Sequence, residues 1–121
     1  MSSVRSLHDK AMELAQQAMV ARYSGESERA NDLAHRAYQP EAEAADLVPG
    51  NRSSEPTRAI LCRSAASLAY ECEDLKGAQR LAAKGLSGYP PADVEAELRT
   101  ILAQVDFRTN LLTRSMRLEI Q

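Results

Sequence analysis

At 121 residues the chain has room for one domain around a single core. A formal charge of −2 supplies no field for a polyanion or an anionic membrane surface, and no apolar run is long enough to span a bilayer. Apolar residues make up 44% but aromatics only 4%, with no Trp. The core must therefore be built mainly from Ala and Leu, the best helix formers, which allow helices to approach closely. The first residues, from Met1 to Arg5, lead straight into an amphipathic pattern without an apolar signal segment, so a soluble cytoplasmic protein is expected.

Apolar periodicity of 3.6 residues predicts five helices. The first spans about Ser3 to Tyr23, with Leu7, Ala11, Leu14, Ala15, Ala18 and Ala21 along one stripe, and Ser24-Gly25 breaks it. The second starts near Ser27 and turns Ala30, Leu33, Ala34, Ala37 and Tyr38 inward. Pro40 lacks the N–H that would bond back to Arg36 and should kink or end this helix. Because Glu41 to Val48 still reads as helical, a distorted continuation is expected.

Pro49-Gly50-Asn51-Arg52-Ser53-Ser54 reads as a loop, and Ser54 offers an N-cap to a third helix with Glu55 and Pro56 in its first turn. That helix runs to about Cys72, with Cys62, Ala65, Ala66 and Ala69 facing inward, and Glu73-Asp74 marks a turn. The fourth helix, about Lys76 to Ser87, buries Ala78, Leu81, Ala82, Gly85 and Leu86, and Gly88-Tyr89-Pro90-Pro91 ends it. In the fifth helix Val94, Leu98, Ile101, Leu102 and Val105 form the stripe. After Phe107 the alternation of Met116, Leu118 and Ile120 competes with a continuing helix, and the expectation is a helix followed by a loose tail. The domain then divides into a first hairpin (1–48), a loop (49–54), a second hairpin (55–89), a capping helix (90–107) and a tail (108–121).

The most informative feature is an internal match. Ala30-x-x-Leu33-Ala34-x-x-Ala37-Tyr38 recurs as Ala78-x-x-Leu81-Ala82-x-x-Gly85-Leu86, each copy following a helix rich in small residues. These residues resemble tetratricopeptide repeats, whose unit is two antiparallel helices crossing at small residues. Ala66, Ala78, Gly85, Leu86 and Pro90 fall at the family's small, apolar and closing positions, and Asp74-Leu75 at its inter-helix turn. Gly25, Ala30 and Ala37 fit in the first copy, which has no closing proline; Ala21 and Ala69 stand where the family has a large aromatic. The resemblance covers about residues 11–38 and 59–90. It implies an all-α fold of two right-handedly stacked hairpins with the fifth helix as cap. Two repeats are fewer than the usual minimum of about three, which suggests homodimerisation or attachment to a larger partner.

No spacing for a metal or a catalytic set is found. His8 and His35 lie on different helices and read as solvated or boundary residues, and no Cys-x-x-Cys, His-x-x-His or phosphate loop occurs. Cys62 and Cys72 on one helix would be about 15 Å apart, too far to bridge, and read as small buried hydrophobes. Glu41, Glu43 and Asp46 read as a solvated acidic strip. No cofactor is expected.

In tetratricopeptide-like modules the ligand lies in the groove lined by the first helix of each hairpin. The matching positions here are Met12, Met19, Arg22 and Tyr23, then Arg63, Ser67, Tyr70 and Glu71. Arg and Tyr suit interface anchors. The Lys and Asn cluster with which some members grip a C-terminal acid is missing, so no chaperone-tail binding is expected. The sequence thus points to a non-catalytic protein-interaction module, an adaptor or a subunit of a larger assembly, with an unidentified protein or peptide partner. The competing expectation is a small homodimeric regulatory factor, antitoxin-like or nucleic-acid-associated, that uses the basic Arg108, Arg114 and Arg117 of the tail. The overall charge disfavours nucleic acid, and no membrane partner is expected.

Overall fold

The computed structural model describes residues 3–120. The chain is all-helical: α1 (Val4–Tyr23), α2 (Ser27–Leu47), α3 (Thr57–Glu71), α4 (Leu75–Leu86) and α5 (Ala92–Ile120), with a 3-10 turn at Arg52–Ser54. α1 and α2 pack along their length, and so do α3 and α4; α3 lies centrally against α2, α4 and α5. Among the described residues, fourteen of the twenty-four buried hydrophobics are Ala. Side chains that small let helix backbones approach closely, in keeping with a core short of aromatics.

Local sequence sets each boundary. Ser3 and Ser6 form a reciprocal cap at the start of α1: Ser6 N donates to Ser3 Oγ (3.0 Å) and Ser3 N to Ser6 Oγ (3.1 Å). α1 and α3 end in the same way. After α1, Gly25 (φ +78°) donates to Arg22 O and Glu26 to Ala21 O; after α3, Glu73 (φ +67°) donates to Tyr70 O and Asp74 to Ala69 O. Asp74 then caps α4, its Oδ1 accepting from Gly77 N at 2.9 Å.

Three boundaries differ from, or resolve, the sequence expectation. α2 runs through Pro40 without ending, because Pro40, Glu41, Ala44 and Ala45 are all buried and their packing outweighs one missing hydrogen bond. Ser54 does not cap α3. Its hydroxyl donates to Asn51 Oδ1 (3.0 Å), as does that of Ser53 (2.7 Å), and α3 begins only at Thr57. Nor is there a loose tail after Phe107: α5 continues as one helix to Ile120, since no Gly or Pro interrupts a stretch rich in Leu and Arg. Gln121, the last residue of the expected tail, lies outside the described residues.

Two clusters make up the core. The larger joins α2 through α5 around Leu81, Leu98 and Cys62 and reaches Leu7; the smaller closes the α1–α2 turn with Ala18, Ala21, Ala30, Leu33 and Ala34. Leu98 of α5 lies over Gly85 of α4, where an added Cβ would fall 2.8 Å from Leu98 Cδ1. Gly85 thus sets how closely the capping helix sits.

Candidate functional site

The functional surface is best found by first setting aside the ionised groups that serve the fold. Arg58 is 2% exposed. Its Nε donates to Glu55 Oε1 (3.0 Å), Nη1 to Lys84 O (2.9 Å) and Nη2 to Gly85 O (2.9 Å). Two of the carbonyls left free at the end of α4 are thereby satisfied, and a cation is placed at the negative end of that helix. Glu55 Oε2 in turn accepts from Tyr89 N (3.1 Å), and the Arg52 guanidinium stacks 4.5 Å from the Tyr89 ring centre. Loop, α3 and the α4–α5 turn are tied at one point.

Glu41 is likewise structural. It does not sit in a solvated strip: its side chain is 0% exposed, and His8 Nδ1 lies 2.9 and 3.0 Å from its two carboxylate oxygens. Burial pushes the Glu41 carboxyl above the usual carboxylate range, and the His8 contact pulls it part of the way back. Asp46 does remain at the surface, held below its ordinary value chiefly by a 2.6 Å hydrogen bond from Lys84 Nζ. Burial pushes both thiols up; Cys62 is closed into the core and Cys72 sits at the end of α3, its Sγ 3.4 Å from Ala69 O. Thiols so raised are poor nucleophiles. Among the described residues no group of three or more His, Cys, Asp or Glu is placed to hold a metal. No described helix is long and apolar enough to cross a membrane.

Away from these groups a groove of about 680 Å³ lies between α1, α3 and α5. Met12 of α1, Leu68 of α3 and Ile101 of α5 give it an apolar floor. Arg63, Ser64 and Ser67 rise from α3 on one side, and Ala96, Glu97 and Thr100 from α5 on the other. Arg63 Nη1 reaches Glu97 at 3.4 Å, so one ion pair bridges the two walls at the rim. Both partners keep solvent access, which leaves them free to exchange with charges on a ligand.

The sequence candidates divide between this groove and a second depression. Arg63, Ser67 and Met12 line the groove. Arg22, Tyr70 and Glu71 come together elsewhere, in a polar cup of about 390 Å³ shared with Asn31, Glu73 and Arg108. There Arg108 lies 5.6 Å from the Tyr70 ring centre and 3.5 Å from Glu73, so Tyr70 is already engaged by α5. Tyr23, 91% exposed, and Met19 line neither hollow.

Sequence reasoning missed the wall made by α5. Its signal was present in the exposed Ala96, Glu97 and Thr100 of that helix. Also missed was the projecting end of α5. Every residue from Thr109 to Leu118 is exposed, and Phe107, Leu111, Leu112, Met116 and Leu118 are each 44% exposed or more. Phe107, Leu111 and Leu118 share one side of the helix, and Leu112 and Met116 stand on the opposite side. In comparisons with protein-family models, curated proteins and solved structures, the chain gives no match.

Proposed function

We propose that this chain is a non-catalytic protein-interaction module, an adaptor or subunit of a larger assembly, that receives a helical segment of a partner in the groove between α1, α3 and α5. The observation that carries the reading is the groove itself: an apolar floor of Met12, Leu68 and Ile101 beneath a charged rim of Arg63 and Glu97. An amphipathic helix fits such a trough, its apolar side against the floor and its flanking charges exchanged with the rim pair. Met12 adds an adaptable surface and Arg63 a directed anchor. The tetratricopeptide-like reading belongs to this proposal and is supported by the two packed hairpins, α1–α2 and α3–α4, which carry the repeated small-residue motif.

A photo-crosslinking amino acid placed at Ser67 tests it. A partner segment should be captured from Ser67, not from the exposed Arg36 on α2, and Ser67→Trp, which fills the groove, should abolish capture while leaving the helix signal intact. Equal capture from both positions, or capture unaffected by Ser67→Trp, would sink the groove reading.

A further inference from the structure

The exposed back of α5 has a self-complementary pattern. From Ala96 the outward positions recur at spacings of four, three and four residues, through Thr100 and Ala103 to Phe107, and the same spacings lead on through Leu111 and Arg114 to Leu118. An eleven-residue period keeps one stripe on one side of a nearly straight helix. The stripe is symmetric about Phe107 in an informative way: its amino-terminal half is small (Ala96, Thr100, Ala103) and its carboxy-terminal half large (Leu118, Arg114, Leu111).

Charge follows the same symmetry. Residues 92–106 carry four carboxylates against one arginine, whereas residues 107–120 carry three arginines against one carboxylate, Glu119. The small, acidic half also forms one wall of the groove, through Ala96, Glu97 and Thr100.

We infer that the groove beside α5 is filled by the projecting half of α5 from a second copy of this chain, two copies exchanging these helices antiparallel across a twofold axis at Phe107. The inference rests on the groove reading above and names its occupant. In this register Leu111 meets the partner's Ala103, Leu118 meets the partner's Ala96, and the basic half of each helix lies over the acidic half of the other. Large side chains enter the spaces left by small ones, opposite charges face each other, and each contact is made twice, as an isologous interface requires. Phe107, Leu111 and Leu118, each 44% exposed or more, share this stripe and are covered in the pair. The same pairing supplies the neighbour that two hairpins and a cap lack.

The test uses the full chain in a Cys72→Ser background, by sedimentation equilibrium and disulfide trapping. Sedimentation at up to about 100 µM should give twice the chain mass of 13.3 kDa. Under mild oxidation Phe107→Cys should trap a covalent dimer, and so should the double variant Ala103→Cys/Leu111→Cys. Those two positions lie about 12 Å apart on their own helix and can bridge only between chains. Glu95→Arg/Glu97→Arg in the acidic half, or Arg114→Glu/Arg117→Glu in the basic half, should weaken the dimer about tenfold, and combining the two sets should restore much of the loss. Ser67→Trp should also weaken it.

A monomer at all concentrations overturns the inference. So does a dimer trapped at Phe107 but not by the 103/111 pair, or one indifferent to Ser67→Trp. A monomer whose Ser67 still captures another protein overturns only the self-exchange and leaves the interaction module standing. Helix content measured by circular dichroism separates either result from misfolding.

Discussion

The Nε of Arg58 lies 3.0 Å from Oε1 of Glu55, and the two side chains are only 3% and 9% exposed. A pair this withdrawn from solvent must be satisfied elsewhere as well, and it is: Arg58 also donates to Lys84 O and Gly85 O, and Glu55 accepts from Tyr89 N. Removing one partner leaves a buried charge uncompensated. We expect Arg58→Ala to lower unfolding free energy by about 3–5 kcal/mol in urea titrations. Gly88→Ala should act through the same residue, because a Cβ there would run into the Arg58 guanidinium, at a cost of about 1–3 kcal/mol. A Gly88→Ala variant as stable as the parent would show that the guanidinium is not held in place.

Burial of Glu41 makes stability depend on pH with a definite sign. Burial raises the Glu41 carboxyl above its ordinary value near 4.5, so the folded chain binds a proton more readily than the unfolded one. Its contribution is then greatest below that ordinary value and is lost as pH rises through the raised folded value. Glu41→Gln keeps a polar group but removes the titration. The variant should gain on the parent as pH rises across this window, and denaturation midpoints measured from pH 4 to pH 8 would show it. His8→Ala should cost about 1–3 kcal/mol at neutral pH, because it strips a buried carboxylate of its partner. Parallel midpoint curves for parent and Glu41→Gln would contradict the assignment.

These two charged pairs also mark where the sequence stops being readable. The stripes of α3 and α5 were legible because a 3.6-residue period in Ala, Leu and Val reports burial directly: Cys62, Ala65, Ala66 and Ala69, and Val94, Leu98, Ile101 and Val105, are all buried. Glu41 was not, because a carboxylate in an acidic run looks solvated unless its partner is known, and His8 stands 33 residues away. Arg58 escaped notice for the same reason, its acceptors being backbone carbonyls 26 and 27 residues on. The groove was half legible. Arg63, Ser67 and Met12 lie in it, but its third wall comes from α5, and the position of that helix is set by Leu98 against Gly85 rather than by any feature of the groove residues.

The matched endings of α1 and α3 give a paired prediction about backbone strain. Gly25 and Glu73 both adopt positive φ after a helix, but only glycine does so without steric cost. Gly25→Ala should destabilise by about 1 kcal/mol, and since nothing lies within 4 Å of the added Cβ the cost is conformational. Glu73→Gly should do the opposite and stabilise by somewhat under about 1 kcal/mol. Its exposed ion pair with Arg108, 3.5 Å long, is worth little against that gain. Opposite shifts in urea midpoint, the smaller one for Glu73→Gly, would confirm strain as the cause. A destabilised Glu73→Gly would instead show that the tie to Arg108 holds α5 against the α3–α4 turn.

The projecting end of α5 separates folding from association. Every residue from Thr109 to Leu118 is exposed, so the segment adds little to the stability of one chain. Truncation after Arg108 should therefore leave the denaturation midpoint of dilute protein nearly unchanged, within about 1 kcal/mol. At higher concentration the two should diverge. The full chain gains stability by mass action as its dimer fills, whereas the truncated chain, lacking Leu111, Arg117 and Leu118, stays flat. The readout is the concentration dependence of the thermal midpoint, measured for both forms in one buffer. A large loss for the dilute truncated form would place the segment in the fold of the single chain, and equal concentration dependence in both forms would move the self-association surface away from α5.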